Sequence, residues 1–188
     1  MKNIFASEKI KVTDIAKLSL GGYLLYIGIN FIASMLIIFG GIKIYGWQIG
    51  ERILPFVDKN ILSLTSNLNI AIIAFVIVLI IPLLEEILFR GLLLNYLIEI
   101  IEHQNKEFFQ KYKNSIAVIS SSIFYAAIIT VLTPLHDFSA IGHILPIFVF
   151  GIIASVITIK SNSLYPAIIL HILNNFTWII IEILLFKA

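Results

Sequence analysis

Residues 69–101 read NIAIIAFVIVLIIPLLEEILFRGLLLNYLIEII, an apolar stretch that carries two adjacent acids and one base in its second half. A straight helix of this length would extend about 50 Å, whereas the hydrocarbon core of a bilayer is about 30 Å thick. Pro82 removes one backbone donor and disfavours helical geometry in the residue before it. We therefore predict that the chain breaks near Pro82, with one helix before it and a second, charge-bearing helix after it.

The rest of the chain is similarly apolar and predicts an all-α fold, a polytopic transmembrane helix bundle. Of the 188 residues, 60% are hydrophobic and 13% are charged, whereas a soluble domain is about half apolar and about a quarter charged. This composition excludes a soluble globule, a disordered chain and a coiled coil. A net charge of +2 provides no basic field for nucleic acid. The absence of cysteine excludes disulfides, thiol catalysis and thiolate metal sites.

Five to six spans are expected in a single membrane-embedded domain, residues 18–188, which follows a cytoplasmic or interfacial N-terminal segment, residues 1–17. The frequent Ile, Lys and Asn suggest an AT-rich bacterial genome, so the expected location is a bacterial cell membrane. The predicted spans are residues 18–45, the two parts of 69–101, 116–132, 143–159 and 164–186.

Two lysine-bearing polar segments, residues 1–17 and 102–115, bear on the orientation of the bundle. Cytoplasmic loops carry an excess of Lys and Arg, so the first segment favours a cytoplasmic start. The second, predicted to be a charged loop, lies on the same side only if residues 69–101 cross the membrane once in net terms. A six-span count would place the two segments on opposite sides.

Glu85, Glu86 and Arg90 are the strongest functional signal in the chain. A charged residue at the membrane centre costs roughly 2.5–3.5 kcal/mol even on lenient insertion scales, so such groups are rarely idle. Glu86 and Arg90 are four residues apart and share a helix face, which predicts a buried ion pair. Glu85 lies about 100° around the helix and cannot easily share that partner. An unpaired carboxylate suits a general base, whereas a purely structural ion pair would account only for Glu86 and Arg90.

His171 and Asn175, in the segment HILNN, are the second signal. They are four residues apart and share one face of the last predicted helix, where two hydrogen-bond donors are able to hold an oxyanion or orient a water. Alternatively, they are polar groups that join neighbouring helices. Polar side chains at membrane depth need one another or water, so we predict that Glu85, His171 and Asn175 face one polar cavity.

Together these motifs resemble those of the CPBP family, the CAAX prenyl proteases and bacteriocin-processing intramembrane proteases that are also called Abi. EEILFRG at 85–91 resembles the EExxxR motif of the family, and HILNN at 171–175 resembles its HxxxN motif. The resemblance covers about residues 68–186. It implies an endopeptidase that acts on membrane-associated peptides through a Glu-activated water. The implied roles are a base at Glu85, supporting groups at Glu86 and Arg90, and oxyanion donors at His171 and Asn175.

A third family motif, FxxxH, lacks its histidine in this chain. In SSSIFYAAII at 120–129, a frame that starts at Phe124 places Ile128 at the histidine position, and a frame that starts at Tyr125 places Ile129 there. Isoleucine has neither a proton to give nor a lone pair. His136 and His143 are the candidates to replace the missing group.

The missing histidine also bears on cofactors and partners. A zinc site of Glu and His would have too few ligands for the usual three, so no cofactor is predicted with a full ligand set, although a divalent metal stays open. The expected partners are membrane lipid and a peptide or membrane-protein substrate, with no nucleic acid and no nucleotide.

Two functions remain open from the sequence. The first is a catalytically active intramembrane protease, which the intact EExxxR and HxxxN motifs favour. The second is a catalytically impaired family member that binds a bacteriocin or another peptide and confers self-immunity, which Ile128 favours. A transporter that uses Glu85 as a proton site is a weaker third reading, because the chain has no internal repeat.

Overall fold

The computed structural model describes residues 11–45, 72, 75–132 and 139–186, and the side chains of residues 11–32, 72, 75–131 and 144–180. Within these ranges the chain is helical and has no strand, which confirms the predicted all-α class. Three helices there are long and apolar enough to cross a membrane, and the count of five to six spans stays a prediction. These helices are Val12–Ile32, Glu107–Val131 and Ile144–Ser161, and a shorter apolar helix is Tyr165–Ile180.

The described chain forms five helical rods. The second rod consists of four contiguous elements, two α-helical and two π-helical, and we call it the glutamate helix (residues 76–102). The elements are α1 (Val12–Tyr45), π1 (Val76–Ile80), α2 (Ile81–Glu86), π2 (Ile87–Leu93), α3 (Leu94–Glu102), α4 (Glu107–Leu132), α5 (Ser139–Ser161) and α6 (Tyr165–Phe186).

The predicted break near Pro82 is wrong, because the glutamate helix continues through it. In π1 the Ile81 amide donates to the carbonyl of Val76, five residues back. In that register the next amide would bond to the carbonyl of Ile77, but proline has no N–H. Asn175 Nδ2 donates to this carbonyl at 3.0 Å instead. A side chain from the last helix therefore replaces the bond that Pro82 cannot make.

The predicted charged loop at 102–115 is also largely wrong, because most of it is helical. Only a short turn separates Glu102 from the start of α4 at Glu107. The backbone of Tyr112 departs from helical geometry (φ −109°, ψ 15°), so α4 is kinked there. Lys113 Nζ lies 2.7 Å from Glu102 Oε1, and this ion pair fastens α4 to the end of the glutamate helix.

The helices alternate in direction, so that residues 11–17 and 102–115, the described parts of the two lysine-bearing segments, lie at the same end of the bundle. The starts of α1 and α6 meet where Ser19 Oγ donates to the carbonyl of Pro166 at 3.1 Å. The glutamate helix ends where α4 begins, and α5 runs antiparallel to α4. Every lysine whose side chain is described lies toward this common end. This arrangement is the one expected if residues 69–101 cross the membrane once.

The larger apolar core cluster of the described residues lies at the meeting point of α1, π2, α4, α5 and α6. Close approach depends on two glycines: a Cβ on Gly22 would lie 2.3 Å from Ile157 Cδ1, and one on Gly151 would lie 3.0 Å from Ser122 Cβ. The buried members of this core cluster are Tyr26, Phe89, Tyr125, Phe150, Ile153, Ala154, Ile157, Ala167 and Leu170.

Candidate functional site

The deepest part of the site is a buried ion pair between Glu86 and Arg90. Arg90 Nη1 lies 3.1 Å from Glu86 Oε1, and the two side chains are 1% and 0% exposed, which confirms the pair expected from their spacing. The guanidinium also lies over the ring of Tyr125, with its carbon 4.3 Å from the ring centroid, a favourable cation–π arrangement. Arg90 is therefore surrounded by an acid and an aromatic face, which together replace the water that a buried cation loses.

The π-helical turn after Glu86 shapes this part of the chain. π2 holds both Arg90 and Gly91, and wide turns of this kind occur often at functional sites. Asn95 Nδ2 donates to the carbonyls of both residues, at 2.9 and 2.7 Å, and so supports the widened turn. A Cβ on Gly91 would lie 3.3 Å from Leu164 Cδ1. The turn between α5 and α6 therefore packs closely against π2.

His171 joins the two glutamates. Its Nδ1 lies 2.9 Å from Glu86 Oε1, and its Nε2 lies 3.7 Å from Glu85 Oε2. Because a carboxylate only accepts hydrogen bonds, Nδ1 carries the hydrogen that it donates to Glu86. The ring of Phe150 packs against the imidazole with 4.6 Å between centroids. His171 is thus held on two sides, with Nε2 directed toward Glu85.

Tyr125 is a site residue whose hydrogen-bonding role was not predicted from the sequence. Its hydroxyl donates to Glu85 Oε2 at 3.0 Å, and the side chain is buried. The ring packs edge-on against Phe89, with 4.9 Å between centroids. Its only sequence signal was the four-residue spacing from Ser121, which places both hydroxyls on one face of α4. Glu85, whose side chain is 19% exposed, is the most accessible member of this group.

The two frames of the FxxxH motif face different ways. Phe124 and Ile128 are 52% and 44% exposed, so the frame that starts at Phe124 faces away from the site. Tyr125 faces the site, and Ile129 packs against the core cluster. The frame that starts at Tyr125 therefore lies inside the bundle, with Ile129 on its inward face.

The two replacement candidates are not tested by the structure. His136 lies outside the described residues. Only the backbone of His143 is described, and it lies within α5.

Asn175 lies on the same face of α6 as His171, as its spacing predicts, but it contacts a different part of the glutamate helix. Its amide is the donor to the carbonyl of Ile77. Asn174 Nδ2 donates to Asn175 Oδ1 at 3.3 Å, which orients the amide. Of the three groups expected to share one cavity, the structure brings Glu85 and His171 together and places Asn175 against π1.

Two buried polar atoms of the site are free to form further hydrogen bonds. Among the described side chains, Glu86 Oε2 and Arg90 Nη2 are buried without a hydrogen-bond partner. No group of three or more His, Cys, Asp and Glu residues in the described ranges is arranged to hold a metal ion.

Comparison with known proteins relates this geometry to a family. The family described as type II CAAX prenyl endopeptidase, Rce1-like, matches residues 67–177, more than half of the chain. The match includes both the EEILFRG and the HILNN segments. Neither a search of the curated proteins nor a search of the solved structures found a match.

Proposed function

The chain belongs to the Rce1-like family of type II CAAX prenyl endopeptidases, and on this premise we propose that it is an endopeptidase in which Glu85 activates a water. The observation that carries the proposal is the 3.7 Å separation of Glu85 Oε2 and His171 Nε2 in a largely buried site. Polar atoms slightly too far apart for a direct hydrogen bond are well placed to share one water. His171 Nε2, whose lone pair is free because Nδ1 carries the hydrogen, helps to hold that water.

The proposed reaction proceeds in two proton transfers at Glu85. The carboxylate takes a proton from the water as the water oxygen bonds to the peptide carbonyl carbon, which gives a tetrahedral oxyanion. The C–N bond then breaks, Glu85 gives the proton to the leaving nitrogen, and the products are a carboxylic acid and an amine. Tyr125 releases its hydrogen bond to Glu85 once that oxygen is protonated and donates to the oxyanion instead.

The remaining polar residues of the motifs act through others. Glu86, which is neutralised by Arg90, accepts from His171 Nδ1 and keeps Nε2 directed at the water. Asn175 supports the backbone of π1 and thereby the approach of α2 to the site. The oxyanion role that the resemblance implies for Asn175 passes to Tyr125 in this proposal.

Substrate access and orientation follow from the membrane setting. The substrate is a membrane-associated peptide or protein, which is the substrate class of the family. We also propose that the lysine-bearing end of the bundle is cytoplasmic, because Lys and Arg are enriched in cytoplasmic segments. We propose that the chain is a multi-pass protein of a bacterial cell membrane.

The proposal is tested with purified protein in liposomes and a panel of peptides, with and without an isoprenyl group, whose fragments are identified by mass spectrometry. Glu85→Gln removes the base but keeps the shape, so cleavage should fall by about 10²–10⁴-fold. Glu99→Gln, an exposed substitution on the same helix, is the matched control and should cleave at the parent rate. Equal cleavage by the parent and by Glu85→Gln, at equal melting temperature, would refute the proposal.

A second candidate, a peptide-binding immunity protein, is favoured by one observation: the histidine position that faces the core holds the apolar Ile129. If this candidate is correct, the parent cleaves none of the peptides. Expression of Glu85→Gln should then protect cells as well as the parent does, because an amide keeps the shape and much of the hydrogen bonding of the acid.

A further inference from the structure

A groove between α1 and α5 is a feature of the described bundle that the proposed function does not use. It encloses about 500 Å³, and most of its lining is aliphatic. Two exceptions, Lys17 and Lys160, stand at one end of it. No residue of the site lines it. Ile153 and Ile157 belong both to its wall and to the core cluster, so the groove and the site lie on opposite sides of that packed layer.

The length of the groove matches one leaflet of a bilayer. Its wall on α5 extends from Val149 to Lys160. At 1.5 Å per residue this stretch spans about 16 Å. The hydrocarbon core of a membrane is about 30 Å thick, so the groove covers about half of it. A single acyl chain that enters from the lysine end would therefore reach about the midplane.

The charges at the mouth of the groove are of one sign. Lys17 and Lys160 are both exposed, and neither has an ion-pair partner among the described residues. Both lie at the end where the other described lysines lie. Two free ammonium groups above an apolar channel complement a ligand with an anionic head and a long apolar tail.

The inner wall of the groove contains two adjacent glycines with opposite surroundings. A Cβ on Gly22 would lie 2.3 Å from Ile157 Cδ1, so this glycine seals the contact between α1 and α5. A Cβ on Gly21 would meet nothing within 4 Å. Gly21 therefore leaves the groove open, and its position is one at which a larger side chain fills the groove without disturbing the packing.

We propose that this groove binds an anionic phospholipid, with the phosphate between Lys17 and Lys160 and one acyl chain along the channel past Gly21. The lysine pair selects the head, and the aliphatic wall holds the tail. A zwitterionic lipid with the same chains occupies the channel more weakly, because the repulsion of its ammonium group by the two lysines cancels the attraction of its phosphate.

The test compares phosphatidylglycerol with phosphatidylcholine of identical acyl chains, added to the detergent-purified full chain. Affinity is read from native mass spectrometry and from the lipid-dependent rise of the melting temperature. The parent should bind phosphatidylglycerol about tenfold more tightly than phosphatidylcholine. In the double variant K17Q/K160Q this preference should disappear, while the binding of phosphatidylcholine stays unchanged.

Two matched variants separate the head from the tail and from general charge. K106Q/K111Q also removes two positive charges at this end of the bundle, but both lie outside the groove. This variant should keep the preference for phosphatidylglycerol. Gly21→Phe fills the channel and should weaken both lipids about equally, with an unchanged melting temperature in the absence of lipid. The proposal is overturned if the parent does not distinguish the lipids, if K106Q/K111Q loses as much preference as K17Q/K160Q, or if Gly21→Phe binds both lipids as the parent does.

Discussion

Two polar regions are buried between the helices, and they satisfy their hydrogen bonds in opposite ways. At the contact of α4 and α5, Ser122 Oγ donates to the carbonyl of Val118 at 2.7 Å, and Thr158 Oγ1 donates to the carbonyl of Ala154 at 2.9 Å. Each hydroxyl therefore bonds to its own helix one turn back. In the site, by contrast, Glu85 accepts a hydrogen bond from Tyr125 on α4, and Glu86 accepts one from His171 on α6.

The serine-rich contact serves helix packing, whereas the polar groups of the site are arranged for chemistry. The serine-rich contact buries small hydroxyls, and the hydrogen bond that crosses it, between Ser121 Oγ and Ser155 Oγ, is long at 3.4 Å. Such hydroxyls let the helix backbones come close without depending on one another. In the site, the two acids, Arg90, Tyr125 and His171 depend on one another, so the removal of one leaves a buried charge or donor unpaired. The substitutions below measure this dependence.

The largest effect is expected at Arg90. Arg90→Ala leaves Glu86 buried without its cation, and breaking a buried pair in this way costs about 3–5 kcal/mol. The free energy of unfolding in detergent, measured by chemical denaturation, should fall by this amount. A variant with the parent's stability would show that Glu86 is not held as a buried charge.

The next largest effect is expected at the position of the FxxxH motif that lacks its histidine. Ile129→His places an imidazole on the inward face, so it should introduce peptide cleavage, or raise existing cleavage by about 10²-fold. Ile128→His adds the same group to the exposed face and should leave cleavage unchanged. Fragment analysis of both variants against one peptide panel decides the matter. A gain in Ile128→His alone would reverse the assignment.

A smaller effect is expected where Asn175 replaces the bond that Pro82 cannot make. Asn175→Ala leaves the carbonyl of Ile77 without its donor and should cost about 1–2 kcal/mol of stability. Pro82→Ala returns a backbone N–H to the helix, so the cost of Asn175→Ala should be smaller in that background. A double-mutant cycle of the free energies of unfolding measures the coupling between Asn175 and Pro82. Strictly additive costs would mean that Asn175 does not serve this carbonyl.

The smallest effect is expected in the serine-rich contact. Ser122→Ala removes a hydroxyl together with its local bond, and the freed carbonyl of Val118 keeps its place in the helix. The free energy of unfolding should change by less than about 0.5 kcal/mol, measured as for Arg90→Ala. A loss comparable to that of Arg90→Ala would abolish the distinction between the two regions.

Parts of the fold and the site were predictable because they depend on local spacing. The apolar composition required helices in a membrane, since a spanning backbone must satisfy its own hydrogen bonds. The four-residue spacing of Glu86 and Arg90 predicted their ion pair, and the same spacing placed His171 and Asn175 on one face. The difference between Glu85 and Glu86 followed from their angular separation on the helix.

Other features depend on which helices are neighbours, and no local pattern carries that information. The tyrosine in the site became visible only when α4 packed beside α2, because its hydroxyl finds Glu85 across forty positions of chain. The rotation of α4 about its own axis decided that Ile129, and not Ile128, lies inside.

The amino-acid sequence by itself determined the helical membrane class, the charges that had to be paired and the faces on which they lie, because these follow from hydropathy and from the pitch of a helix. Only the tertiary structure decided that the chain stays helical through Pro82, since the compensating donor, Asn175, comes from the last helix. It also decided that His171 bridges both acids. Long-range hydrogen bonds set these outcomes, because a buried polar group takes its partner from whichever helix packing brings within reach.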